Sequence, residues 1–124
     1  MAGRRVDRVR DLIREEISRL LLFKVKEPGL EAVSVTEVRL TADLRRARIM
    51  YSVYDDRQDR EEVRKRLERV SPFLRRELGR VAGLKFVPEL FFEYDHSMEY
   101  AQHMDKVLRD VAEADRKDEA DDAD

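Results

Sequence analysis

Cysteine and tryptophan are absent from the 124 residues. Without thiols there is no disulfide staple, no thiolate metal site and no cysteine nucleophile; that composition suits a reducing cytoplasm, the expected location. Long apolar runs are missing as well. The longest, Leu20-Leu21-Leu22-Phe23, is far short of the ~20 residues a membrane-spanning helix needs. Arg4 and Arg5 give a basic start, but no apolar stretch directly follows as it would in a signal peptide. No membrane partner is expected. With four glycines the chain carries no glycine-rich phosphate loop, and Ser71 has no nucleophile-elbow context.

Charge is plentiful but uneven. Residues 111–124 hold two basic and seven acidic side chains, a net of −5, while residues 1–110 hold 24 basic and 21 acidic, a net of +3. A mildly basic body with an acidic end points toward a polyanionic partner for the body. The plainer reading is a solvated surface of mixed charge. A chain of this length forms one domain that buries roughly 65% of its unfolded surface, enough for one core without staples.

Hydrophobic spacing divides the body. Val6, Val9, Ile13, Ile17, Leu20 and Leu21 recur at helical intervals over residues 5–23, and Pro28-Gly29 then suits a turn. Val33 and Val35 alternate with Ser34 and Thr36 in a first strand over 32–40. Val38 and Leu40 fall on the other parity, which fits either a bulge or a strand apolar on both faces. A second strand over 46–54 places Ala47, Ile49, Tyr51 and Val53 on one face and Arg46, Arg48 and Ser52 on the other, and the short connection makes a hairpin.

After the polar loop 55–59, a helix over 60–70 places Val63, Leu67 and Val70 inward. Ser71-Pro72 reads as the start of a new helix in a new direction, running to Ala82 with Phe73, Leu74, Leu78 and Val81 inward and Gly83 as a left-handed cap. A third strand over 84–94 aligns Leu84, Phe86, Leu90, Phe92 and Tyr94, with Pro88 marking an edge or bulge. A last helix over 97–111 carries Met98, Ala101, Met104, Leu108 and Val111. Residues 112–124 read as an acidic disordered tail, either solubilising or competing with a polyanion for the basic body. The domain is therefore expected at 1–111. The class is α+β: a three-stranded sheet with helices packed on one face.

This order resembles a type II KH domain, and the residues over about 4–110 resemble the ribosome-binding factor A family. The likeness rests on Arg8-Val9-Arg10-Asp11-Leu12-Ile13, on Val25-Lys26-Glu27-Pro28-Gly29-Leu30 leading into Val33-Ser34-Val35-Thr36, and on Asp43-Leu44-Arg45-Arg46-Ala47. It continues through Phe73-Leu74-Arg75-Arg76-Glu77-Leu78-Gly79 and Val87-Pro88-Glu89-Leu90. The resemblance implies a non-enzymatic factor without cofactor or metal. Its partners would be the free small (30S) subunit and its rRNA, with an assembly GTPase as a further partner. It would act as a monomer in late 16S rRNA maturation and 5′-end processing, above all in the cold. KH domains usually clamp nucleic acid with a Gly-x-x-Gly loop, and the family usually has an Ala-x-Gly kink there. Here Val70-Ser71-Pro72 forms the kink between a helix pair, so contacts are expected through shape and phosphates. A generic single-stranded RNA module is the alternative.

Three basic clusters could meet phosphates. Arg75, Arg76, Arg80 and Lys85 lie on and after the helix behind the kink, which a type II KH fold places near the nucleic-acid groove. Arg4, Arg5, Arg8 and Arg10 crowd the start of the first helix, and Arg45, Arg46 and Arg48 sit at the hairpin. The cluster behind the kink ranks first, and the plainer reading of each is a solvated helix or sheet face. Phe86, Phe92 and Tyr94 could stack bases, but their shared parity assigns them to the core. His96, Glu99 and His103 share a helical face; exposed helix residues are the plainer reading, and a metal-dependent enzyme is the rival they would support.

Overall fold

The computed structural model describes residues 2–54 and 57–122; Asp55, Asp56, Ala123 and Asp124, parts of the expected polar loop and tail, lie outside them. The order is α1 (Ala2–Phe23), a 3-10 turn (Leu30–Ala32), β1 (Val33–Leu40), β2 (Arg46–Val53), α2 (Arg60–Val81), β3 (Glu89–Tyr94) and α3 (Ser97–Asp122). The chain divides into two compact units, Met1–Tyr94 and Asp95–Asp124.

The first unit is an α+β sandwich. The sheet order is β1-β2-β3, with β1–β2 antiparallel and β2–β3 parallel. Ile13, Ile17, Leu20 and Leu21 of α1 and Val63, Leu67, Leu74 and Leu78 of α2 join Val35, Val38, Ala47, Ile49, Tyr51 and Leu90 of the sheet in one buried cluster. Burial of such side chains stabilises by roughly 1.5–3 kcal/mol each. Both helices of this unit therefore cover the same sheet face.

A register shift between Val35 and Glu37 decides between the two readings of β1. The extra residue is a bulge, and it returns Val38 and Leu40 to the face of Val33 and Val35. Two left-handed glycines end their segments as expected from their lack of a Cβ: Gly29 (φ 87°) ahead of the 3-10 turn and Gly83 (φ 65°) just after α2. At the other end of α2 the Asp59 carboxylate accepts from the Glu61 amide at 2.9 Å.

Three expectations are corrected. The helix pair broken at Ser71-Pro72 is one continuous helix, α2, with Pro72 inside it. Pro72 removes the donor that the Glu68 carbonyl would use, yet Val63, Leu67, Val70, Leu74 and Leu78 keep one helical stripe against the sheet. Packing of that stripe carries the helix through. The third strand begins at Glu89 rather than residue 84, since Pro88 has no amide to give a ladder. Accordingly Phe86 is 79% exposed; Val81, expected inward, is the last residue of α2 and is 43% exposed.

The second unit also departs from expectation. Its helix α3 continues to Asp122, so the acidic segment expected as a disordered tail from 112 is helical over its described residues. Ala112, Glu113, Ala114, Arg116 and Lys117 are adequate helix formers, with Glu113 and Lys117 an oppositely charged pair at four-residue spacing. Local propensity substitutes for the missing apolar stripe.

Pro72→Ala restores one helical donor and removes a ring clash. It is expected to raise stability by about 1–2 kcal/mol after allowing for the more flexible unfolded chain. Urea unfolding should show a higher midpoint at unchanged slope; a lower midpoint would mean the ring itself is needed.

Candidate nucleic-acid interface

One groove of about 830 Å³ gathers residues from all three basic clusters. Arg5 of α1, Arg45 of the hairpin turn, Arg75 of α2 and Lys85 of the α2–β3 connection line it, against the acids Asp43 and Glu89. Val9, Leu44, Leu84, Phe86, Val87 and Pro88 supply apolar lining. Arg5, Arg45 and Lys85 take part in none of the ion pairs found among the described residues.

The groove is built from the backbone up. In the β1–β2 turn, Thr41 Oγ1 donates to Asp43 at 2.6 Å and the Arg45 amide donates to the same carboxylate oxygen at 3.1 Å. These bonds, the threonine hydroxyl first, hold the Asp43 carboxyl below its usual value of 3.8. Leu44 takes a left-handed φ of 63°, a conformation that costs a side-chain-bearing residue roughly 1–2 kcal/mol. The turn that results projects Arg45 while the Arg45 carbonyl accepts from the Glu89 amide at 2.8 Å. That bond ties the hairpin turn to the start of β3.

Arg75 anchors the opposite wall. Its Nε donates to the Pro88 carbonyl and its Nη2 to the Val87 carbonyl, each at 3.2 Å. A Cβ on Gly79 would stand 3.2 Å from Val87 Cγ2, so the glycine lets this segment lie close on α2. Leu84 and Val87 pack on the core while Lys85 and Phe86 stand out, the ammonium 5.7 Å from the ring centroid.

The remaining candidates lie elsewhere. Arg76 is exposed and does not line the groove. Arg80 pairs with Glu77 at 2.8 Å, which raises the guanidinium pKa and lowers that of the carboxyl. Arg4 and Arg8 are exposed on α1, and Arg10 pairs with Asp7 at 3.2 Å and Asp11 at 3.4 Å. Arg46 and Arg48 lie with Arg39 and Phe91 along a depression on the outer sheet face. There Arg48 pairs with Glu93 of β3 and Arg39 with Glu37, although the two arginines are directly opposed. Val70, Ser71 and Pro72 are helical, so no loop interrupts α2 where a KH clamp would sit.

Aromatics divide likewise. Phe92 and Tyr94 pack against the core, where the Tyr94 ring meets Tyr51 edge-on at 5.8 Å and Arg60 lies 4.0 Å above it. Phe86 does not join them. In the second unit His96 Nδ1 lies 3.3 Å from Glu99, and His103 is exposed. Among the described residues no group of three or more His, Asp or Glu could hold a metal, and no helix is long and apolar enough to cross a membrane.

The architecture is that of a KH-like α+β domain. Solved structures share it: ribosome-binding factor A from Thermus thermophilus superposes with a TM-score of 0.56 at 21% identity, over 76% of this chain and 96% of that one. A Thermotoga maritima protein described as a putative ribosome binding factor A superposes at 0.54 and 22% identity, over 73% and 83% of the two chains. In sequence, the family model for ribosome-binding factor A matches residues 5–108. The Dictyoglomus thermophilum ribosome-binding factor A is 42% identical over 118 residues, 94% of this chain and 96% of the relative. That of Halothermothrix orenii is 34% identical over 95% and 97%. The chain belongs to the ribosome-binding factor A family.

Arg75→Ala leaves the two carbonyls without their donor and should lower stability by about 1–2 kcal/mol. Arg75→Lys should recover only part, because a single shorter-reaching ammonium does not reproduce the planar fork in which Nε and Nη2 each meet a carbonyl. Arg76→Ala should stay within about 0.5 kcal/mol of the parent; thermal unfolding compares the three. For Asp43, the depressed folded pKa means its contribution is present at neutral pH and is lost as pH falls through that lower value. A side-chain NMR titration should place its midpoint below 3.8, and Thr41→Val should move the midpoint upward.

Proposed function

We propose that this protein binds the free small ribosomal subunit and assists late maturation of 16S rRNA, including processing of its 5′ end, with the greatest demand in the cold. It does so in the cytoplasm, as a monomer and without catalysis, and an assembly GTPase acts on the same subunit. The observation that carries this reading is the convergence of Arg5, Arg45, Arg75 and Lys85, from all three basic clusters, on one groove. Family membership supports the ribosomal target. A Thermus thermophilus ribosome-binding factor A with the same fold (TM-score 0.54) has been fitted into a cryo-EM map of a 30S complex.

The proposed mechanism is differential binding. A protein without catalytic groups can change rRNA structure only by binding one conformer more tightly than another. Cations in the groove contact phosphates and set position; they carry no base information by themselves. Continuous helix α2 disfavours the usual KH mode, in which a glycine loop clamps unstacked nucleotides.

Co-sedimentation with isolated small subunits, large subunits and joined ribosomes across a salt series tests the proposal. Selective, salt-sensitive binding to free small subunits is expected. Replacing Arg5, Arg45 and Lys85 together with alanine should flatten the log–log salt slope by roughly 2–3, at 0.7–0.9 per lost phosphate contact. Equal binding to all three particles would reduce the protein to non-specific attraction to RNA.

A further inference from the structure

The exposed ring of Phe86 is the feature that phosphate contacts leave unexplained. A large aromatic side chain 79% exposed forfeits the burial that normally stabilises it. Scattered exposed apolar residues are ordinary on protein surfaces, but this one differs in two ways. It lines the basic groove beside Arg5, Arg45 and Lys85. It also stands on a segment fixed on both sides: Leu84 and Val87 pack on the core, Pro88 is buried, and Arg75 holds the Val87 and Pro88 carbonyls. The ring is thus presented by anchored backbone, which lowers the ordering cost of any contact it makes.

An aromatic face next to unpaired cations matches the chemistry of an unpaired nucleotide. Single-stranded nucleic acid is held by cations along its phosphates and by aromatic rings under its bases. A protein partner would instead be recognised by an apolar patch depleted of charge at its centre, and here four cations and two acids line the groove with the ring, the Lys85 ammonium 5.7 Å from its centroid. The groove volume of about 830 Å³ falls within the roughly 300–1,000 Å³ of ligand sites.

We infer that the groove is a stacking subsite in which Phe86 receives one unpaired rRNA base while Arg5, Arg45 and Lys85 take the flanking phosphates. The inference rests on the small-subunit reading above and adds a base contact to it. It also supplies what phosphate contacts lack, a preference for a strand whose base is unstacked. Binding would then distinguish rRNA conformers with that base free from those with it paired.

Two measurements test it, using the full chain. The first is affinity for free small subunits. Phe86→Ala should weaken it about 5- to 100-fold, in line with the loss of one stacked base, with thermal stability and salt slope unchanged. The second uses the absence of tryptophan from the chain: Phe86→Trp introduces a single indole reporter. Protein-free small-subunit rRNA should quench its emission, whereas inorganic polyphosphate, which has charge but no bases, should not. Weaker subunit binding by Phe86→Ala without quenching by rRNA would assign the ring to a ribosomal protein and overturn the subsite. Unchanged binding by Phe86→Ala would overturn it too, while selective binding of the parent protein left the small-subunit reading standing. Failure of the parent protein to bind free small subunits would remove that reading instead.

Discussion

The fork that Arg75 extends from α2 to the Val87 and Pro88 carbonyls holds the segment from which β3 departs. Those carbonyls belong to the segment that must turn from a helix on one sheet face into a strand parallel to β2. Their neighbour Pro88 has no donor of its own, so the guanidinium supplies hydrogen bonds that a continuous strand would have supplied. With the fork in place, the Glu89 amide meets the Arg45 carbonyl, and the parallel pairing runs from Arg46–Glu89 to Tyr51–Tyr94. The groove walls are by-products of this joint. One arginine is at once a structural clamp and part of the positive lining.

Basic residues in this protein fall into two physical classes that composition cannot separate. Arg48, Arg39, Arg10 and Arg80 each have a carboxylate within ion-pair distance. Such exposed pairs contribute little stability, but they neutralise the charge that would otherwise attract phosphates. Arg5, Arg45 and Lys85 keep theirs. A net charge of −2 therefore coexists with a local excess of cations in one groove.

How much of this was legible in the sequence depends on which force decided each element. The alternation of Ala47, Ile49 and Tyr51 and the stripe of Ile13, Ile17 and Leu20 reflect burial directly, and they read correctly. The parity change in β1 signalled the bulge without deciding for it. At Pro72 the local helix-breaking rule loses to the unbroken spacing of Val63, Leu67, Val70, Leu74 and Leu78, whose phase passes through the proline undisturbed. Phe86 shows the converse: it shares the parity of Leu90, Phe92 and Tyr94 but lies before Pro88, where no strand exists. The three basic clusters were visible, but their convergence is a property of tertiary packing. Nothing in the sequence separated Arg5, Arg45 and Lys85 from the arginines around them.

The parallel pairing of β2 with β3 has a kinetic consequence. The β1–β2 hairpin closes over a few residues, but β3 can join only after the chain has passed through α2, with 35 residues between Val53 and Glu89. Closing a long connection costs entropy before its contacts form, so non-local parallel strands assemble slowly. The hairpin turn thus precedes the segment that completes the groove, and the groove exists only in chains that have finished folding. A ligand held there binds the finished state alone and draws the folding equilibrium toward it by mass action.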